Sequence, residues 1–200
     1  MLFRSVNLDY RRTFDKVDRE FGVSMQYSQS EDNTDYHFTR FSEAQIETRK
    51  EQSLNIGKNN EISTQIDYTE PLHKKVLWES GAKTTLRSVT SNYHYDSFNF
   101  VQSNFESISA RNNQFDYYQN ILALYSQFTW NATTRFSIKS GLRHESTQFG
   151  GVVYSPAKES YTGRPYQNFI PYLNLNRMIG KSAFLRFTYT KRIQIGRAHV

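Results

Sequence analysis

Apolar and polar side chains alternate with a period of two along most of this chain. In RFSIKSGLRHE, residues 135–145, Phe136, Ile138 and Leu142 fall on one side of an extended strand. Arg135, Lys139, Arg143 and Glu145 fall on the other. Such alternation marks a strand with one apolar and one wet face. The same pattern predicts seven more strands. Residues 6–14 place Val6, Leu8 and Tyr10 on one face. Residues 21–28 oppose Phe21, Val23, Met25 and Tyr27 to Gly22, Ser24, Gln26 and Ser28. Residues 61–69 oppose Ile62, Ile66 and Tyr68 to Glu61, Gln65 and Asp67. A strand from 76 to about 95 sets Val76, Trp78, Ala82 and Leu86 against Glu79, Lys83 and Arg87. Residues 117–130 set Leu122, Leu124, Phe128 and Trp130 against Gln119, Tyr125 and Gln127. Residues 166–178 set Phe169, Leu173 and Leu175 against Tyr172, Asn174 and Asn176. Residues 183–193 set Leu185, Phe187 and Tyr189 against Arg186, Thr188, Thr190 and Arg192.

The predicted connections alternate in length. Short ones fall at 15–20, 71–75, 131–133 and 180–182; long polar ones at 29–60, 96–115 and 150–165. Compact soluble domains rarely hold several loops this long. Outer-membrane barrels do so by rule, with short periplasmic turns and long external loops. Aromatic residues cluster near both strand ends. Phe14, Phe21, Tyr68, Trp78, Phe128, Trp130, Phe136 and Phe184 lie beside the short turns. Tyr27, Tyr93, Tyr95, Tyr117, Phe149, Tyr166 and Tyr189 lie towards the long loops. Rings at both headgroup levels are the girdles expected of such barrels. The apolar rows are therefore expected to meet lipid, and the Lys and Arg rows to face a water-filled or plugged lumen. In lipid every backbone N–H and C=O must be paired, so strands span only as part of a closed barrel.

Composition sharpens this picture. Hydrophobic residues are 37% and mean hydropathy is −0.73, yet 14 Tyr and 15 Phe are present. That is lean for a soluble core and too aromatic for disorder. With no Cys, there is no disulfide framework or thiolate metal site. The ends MLFRS and IGRAHV would be encoded by codon strings that are largely reverse complements and match a common sequencing adapter. Gln194 fits the same adapter through a CAG codon. Residues 1–5 and 195–200 are read as adapter translation, and 6–194 as a partial outer-membrane β-barrel domain. Omitting Arg4 and Arg197 leaves 23 Lys+Arg against 19 Asp+Glu, a net charge of +4 in place of +6. That balance does not call for nucleic acid.

No catalytic, cofactor-binding or metal-binding residues emerge, and the ligand-binding residues are unknown at this level; the chain is not expected to be an enzyme. His37, His73, His94 and His144 are widely separated and lack ligand spacing. Glu31–Asp32 reads as solvated loop charge, Gly150–Gly151 as a loop start, and Asn131-Ala-Thr as a tight turn. No phosphate-loop, dinucleotide or nucleophile-elbow glycine pattern occurs.

Several phrases carry a family resemblance: LDYRRTFDKVDREF, IDYTEPLHKKVLWESGAKTTLRS, YSQFTW with RFSIKSGLRHE, and FIPYLNLNRMIGKSAFLRFTYTKRIQ. The chain resembles the TonB-dependent receptor barrels of Bacteroidetes and the related outer-membrane β-barrel proteins of that group. The DYTEPL turn before an alternating strand, and the closing Tyr-x-x-Arg-Ile-Gln phrase, are its most specific elements. The resemblance implies an all-β fold: about eight antiparallel strands of a larger transmembrane barrel of about 22. It implies an N-terminal plug, a TonB complex docked through a missing N-terminal region, and a small nutrient ligand. Outer-membrane lipid is the remaining partner, and the bacterial outer membrane the location. Two alternatives stay open: a plug-less porin or adhesive barrel, and a soluble secreted β-sandwich binding module.

Overall fold

The computed structural model describes residues 2–154, 157–180 and 182–191. Among these there is one antiparallel sheet and a single three-residue helical turn, Ser109–Arg111. The strands are β1 (Leu2–Thr13), β2 (Glu20–Phe41), β3 (Glu47–His73), β4 (Val76–Asn99), β5 (Asn104–Ser107), β6 (Asn113–Thr133), β7 (Phe136–Val153), β8 (Glu159–Thr162), β9 (Tyr166–Ile179) and β10 (Ala183–Thr190). The path is β1-β2-β3-β4-β6-β7-β9-β10, with β5 and β8 as short additions on β4 and β7. Each of the eight main strands pairs with the next one along this path, so the sheet is a plain meander. All eight expected strands are present. Arg192, Ile193, Gln194 and the terminal stretch 195–200 lie outside the described residues.

The register aligns the alternating faces across the whole sheet. One row runs Tyr10, Val23, Ile66, Ala82, Leu124, His144, Phe169. The row beside it runs Arg11, Gly22, Asp67, Gly81, Tyr125, Arg143, Ile170. Accessibility shows which face is concave. Every buried side chain among the described residues (Ser53, Ser63, Tyr95, Ala123 and Thr147) belongs to the polar face. On the other face Leu8, Leu122, Leu124, Phe128, Leu185 and Phe187 are about half exposed or more. Side chains crowd one another on the inside of a curved sheet and splay on the outside. The apolar face is therefore convex.

The stagger gives the tilt. The row flanking the first short turn, Thr13–Glu20, continues through Thr69, Glu79, Gln127 and Gly141 to Tyr172. Tyr172 lies seven residues before Ile179, which flanks the last short turn. Seven residues of stagger across six strand spacings, at about 3.3 Å and about 4.8 Å respectively, give a tilt of about 40°. That is the tilt of outer-membrane barrels, roughly 35–45°. Among the described residues β1 pairs only with β2 and β10 only with β9. The sheet is thus an open arc of barrel wall, and not a closed eight-stranded barrel.

On the convex face the apolar band runs from Trp130 to Leu122 on β6 and from Tyr68 to Ile62 on β3. The nine tilted residues on β6 rise about 23 Å, close to the ~25 Å apolar band of such proteins. Polar residues resume beyond it: Asn60, Ser88, Asn120 and Gln148 above, Arg12, Glu70 and Arg177 below.

Three sequence expectations are corrected. Residues 29–60 are not a loop: β2 and β3 continue as a paired hairpin closed by residues 42–46, with Gln45 at φ 60°. Much of 96–115 and 150–165 is likewise strand, including β5 and β8. Above the bilayer both faces meet water, so pairing persists while the apolar signal disappears. Gly150 and Gly151 accordingly sit inside β7 rather than at a loop start. The turn expected at 131–133 lies at Thr134–Arg135, so Arg135 is a turn residue and not a lumen-facing one. A one-residue irregularity at Ala132 shifts the register, and Leu72 does the same before the Lys74–Lys75 turn.

Candidate functional site

The concave wall is the candidate site. Most of its charges are partnered at successive heights, within one strand, between neighbouring strands, or across one intervening strand on the crowded concave side. Nearest the short turns, Lys139 Nζ lies 3.0 Å from Glu79. Above it, the Tyr125 hydroxyl donates to Asp67, and Gln65 Nε2 donates to the same carboxylate at 2.8 Å. Arg143 donates to Glu145 at 2.6 Å and stands 5.9 Å from the Tyr125 ring centre. Higher still, Arg87 donates to Glu61 at 2.6 and 2.9 Å. The wall presents dipoles and rings more than net charge.

Glycines fit this wall by leaving room for rings. Tyr125 lies across its partner Gly81, Tyr172 across Gly141 and Tyr161 across Gly151. A Cβ at Gly141 would meet Tyr172 Cε1 at 2.7 Å. Aromatic cover of this kind shields backbone that glycine leaves bare and holds the strand curved.

Towards the outer mouth, rings replace ions. Phe115 stacks on Tyr117 and Tyr161 with centroids 6.4 and 6.5 Å apart, and Phe149 packs edge-on to Tyr166 at 6.2 Å. The register puts Tyr93, Tyr95, Tyr117, Phe149 and Tyr166 on the concave face. They are not part of an outer girdle, as the sequence suggested; Tyr27 and Tyr189 do face outward. Phe184, expected in the lower girdle, also has the concave parity, and Phe14 lies in the first turn. Phe21, Tyr68, Trp78, Phe128, Trp130 and Phe136 keep the outward parity. Nearness to a loop does not fix parity where apolar alternation has faded.

At the top of the wall Glu51 sits among Tyr95, Arg49 and Arg111. The neighbouring Tyr95 hydroxyl, then Arg49 and Arg111, hold its carboxyl below the usual range, against the opposing effect of burial. Burial first, then Glu51, pushes the Tyr95 hydroxyl up. Arg111 stacks over the Tyr95 ring at 4.6 Å, and Asn112 Oδ1 accepts the Tyr95 N–H at 2.8 Å. These contacts fix the short helical turn against β4.

Among the described residues the histidines are not brought together. His37 lies 3.2 Å from Asp35, His94 lies 3.1 Å from Asp96, and His144 rests on the Phe169 ring at 4.7 Å on the convex face. Glu31 faces Lys58 at 3.6 Å. The inward aromatic wall escaped the sequence reading. Its signal was the pairing of Gly150-Gly151 with tyrosines two strands' width apart, visible only once the register is known.

A tilted antiparallel meander with an apolar convex band and a polar concave wall is a piece of an outer-membrane β-barrel. The chain belongs to the outer membrane protein beta-barrel family, whose model matches residues 12–197, and its location is the bacterial outer membrane. No curated protein matches the sequence at a significant level. Solved structures share the fold. The unliganded ferric citrate transporter FecA is 14% identical with a TM-score of 0.58, over 92% of this chain and 26% of that one. The copper transporter OprC is 10% identical with a TM-score of 0.64, over 90% and 28%. The siderophore receptor PiuA from Acinetobacter baumannii is 8% identical with a TM-score of 0.63, over 94% and 31%. The chain thus spans about a quarter to a third of the length of these proteins.

Proposed function

We propose that this chain forms part of the barrel wall of an outer-membrane TonB-dependent receptor that imports a small nutrient ligand of the siderophore, cobalamin or glycan class. The reading includes a source among the Bacteroidetes, a plug in the lumen, and a region N-terminal to the wall that docks the TonB complex. In it, residues 6–194 are the partial barrel domain, and 1–5 and 195–200 are foreign. Residues 2–5 nonetheless pair with 28–31 at the start of β1.

The observation that carries this reading is the concave wall. Its ion pairs neutralise one another within the sheet, while Phe115, Tyr117, Phe149, Tyr161 and Tyr166 gather at the outer mouth. Rings with a few convergent polar groups are what binding sites for small organic ligands use. The shared fold with transporters of ferric citrate and copper and with a siderophore receptor supports it.

The test uses the full-length protein. In planar bilayers a plugged receptor gives no open-pore conductance, whereas spontaneous stepwise conductance would assign a porin. In the host, loss of the gene lowers accumulation of one nutrient among ferric siderophores, cobalamin and oligosaccharides. Collapse of the proton gradient abolishes that uptake in the wild type. Uptake indifferent to the gradient would remove the TonB coupling.

A further inference from the structure

Below the apolar band the convex face carries Arg12, Glu70 and Arg177, and the turn before β7 adds Arg135 beside the last of these. β9 turns Phe169, Pro171, Leu173 and Leu175 outward, and then Arg177. The register sets Arg177 between Phe136 of β7 and Leu185 of β10. Arg135 occupies the adjoining turn, where its carbonyl accepts the Met178 N–H at 2.8 Å. Arg135, Arg177, Phe136, Met178, Ile179 and Leu185 line an open recess of about 590 Å³. Among the described residues neither guanidinium has a carboxylate within ion-pair reach. The first turn is arranged differently: there Lys16 and Arg19 both close on Glu70 at 2.6 and 2.7 Å.

We propose that this recess binds the phosphate headgroup of an anionic glycerophospholipid in the periplasmic leaflet. The level is right, because the short turns of such barrels are periplasmic and the Trp130 and Phe136 rings mark the headgroup zone. The chemistry is right, because a guanidinium fork matches phosphate oxygens with paired, charge-assisted hydrogen bonds. The shape is right as well. Ile179 and Leu185 are 52% and 57% exposed beside the arginines, so one face takes acyl chain while the cations take phosphate. A free phosphate ion supplies the same oxygens but leaves those apolar side chains uncovered. The site is independent of which nutrient the receptor carries.

The test is native mass spectrometry of the full-length protein, released from vesicles of equal phosphatidylglycerol and phosphatidylcholine. The wild type retains phosphatidylglycerol preferentially, and Arg135→Gln with Arg177→Gln lowers that retention roughly tenfold, the scale of losing charge-assisted bonds. Lys16→Gln leaves it unchanged. Equal retention of both lipids by the wild type overturns the proposal without any variant. Retention unaffected by the double substitution, in protein that still shows heat-modifiable migration, overturns it too. Displacement of the lipid by millimolar inorganic phosphate alone would assign the arginines to a free anion and also overturn it.

Discussion

The lower and upper halves of the same strands obey different rules. Below Ile62 and Leu122 the convex face is a mainly apolar band with small hydroxyl residues between its rows, and the concave face carries paired ions. Above them β2 and β3 stay in register up to the Arg40–Arg49 pair, with one irregularity before Phe41, yet both faces are largely polar. The backbone does not change between the halves; its surroundings do. Hydrocarbon on one side demands alternation, whereas water on both sides demands only that the ladder be paired. The largest expected effect follows directly. Expressed alone in water, this chain does not form a soluble monomer with a cooperative melt. Its apolar band has no lipid, and β1 and β10 leave two open edges that aggregate. Monomeric elution with a sharp melting transition would erase the difference between the halves.

The next effect separates the halves site by site. In the full-length protein Leu124→Asp or Phe187→Asp places a carboxylate in the band. Lost apolar transfer and charge burial together cost about 3 kcal/mol of folding into vesicles. Gln127→Asp, on the concave face, and Leu54→Asp, on the convex parity above the band, fall within about 0.5 kcal/mol of the parent. Leu54 is already 40% exposed. Folding titrations in urea with lipid vesicles read all four. Equal losses at all four sites would undo the face assignment.

Legibility in the sequence follows the same division. In the lower half the strands and their faces could be read from Val6 to Tyr189, because lipid imposes a period that composition cannot hide. In the upper half Ser30, Asn59 and Thr90 carry no period, so the long hairpin read as a loop. The inward rings were misassigned for a related reason. Tyr117 and Phe149 stand near loops in sequence, but only the register with Gly151 and Gln119 shows the face they share. The ion pairs of the wall were half legible. The two-residue period already puts Arg143 and Glu145 on one face of one strand, whereas Glu79 as the partner of Lys139 emerges only from the strand order. Arg135 failed because a single extra residue, Ala132, moved the turn.

Glycines sharpen the comparison further. At Gly141 a Cβ would meet Tyr172, Gln127 and backbone at 2.7–2.8 Å, so Gly141→Ala displaces the ring and costs about 2 kcal/mol. At Gly57, in the upper half, the nearest atom to a Cβ is Asp32 O at 3.6 Å, an ordinary contact. Gly57→Ala is therefore neutral or slightly stabilising, since it removes backbone freedom from the unfolded chain. The same vesicle titration measures both. Destabilisation at Gly57 matching that at Gly141 would mean that ring cover is not what the lower wall requires of its glycines.

The smallest effect lies at the lower rim, beyond the band, and is read by pH. Arg19 first, then Lys16 and the Tyr68 hydroxyl, hold the Glu70 carboxyl down at about 2, from an ordinary 4.5. A carboxyl whose folded value is depressed contributes stability above its unfolded value and loses it as pH falls towards the folded one. The contribution is therefore whole above about pH 4.5 and fades between there and about pH 2. Heat-modifiable migration of the full-length protein locates the unfolding temperature. Glu70→Gln lowers it by the same small amount from pH 8 down to about pH 5, and the gap to the wild type then closes on acidification. A gap that stays constant to pH 2 would show that Glu70 acts by shape alone, and that its charge does not fasten the first turn to β3.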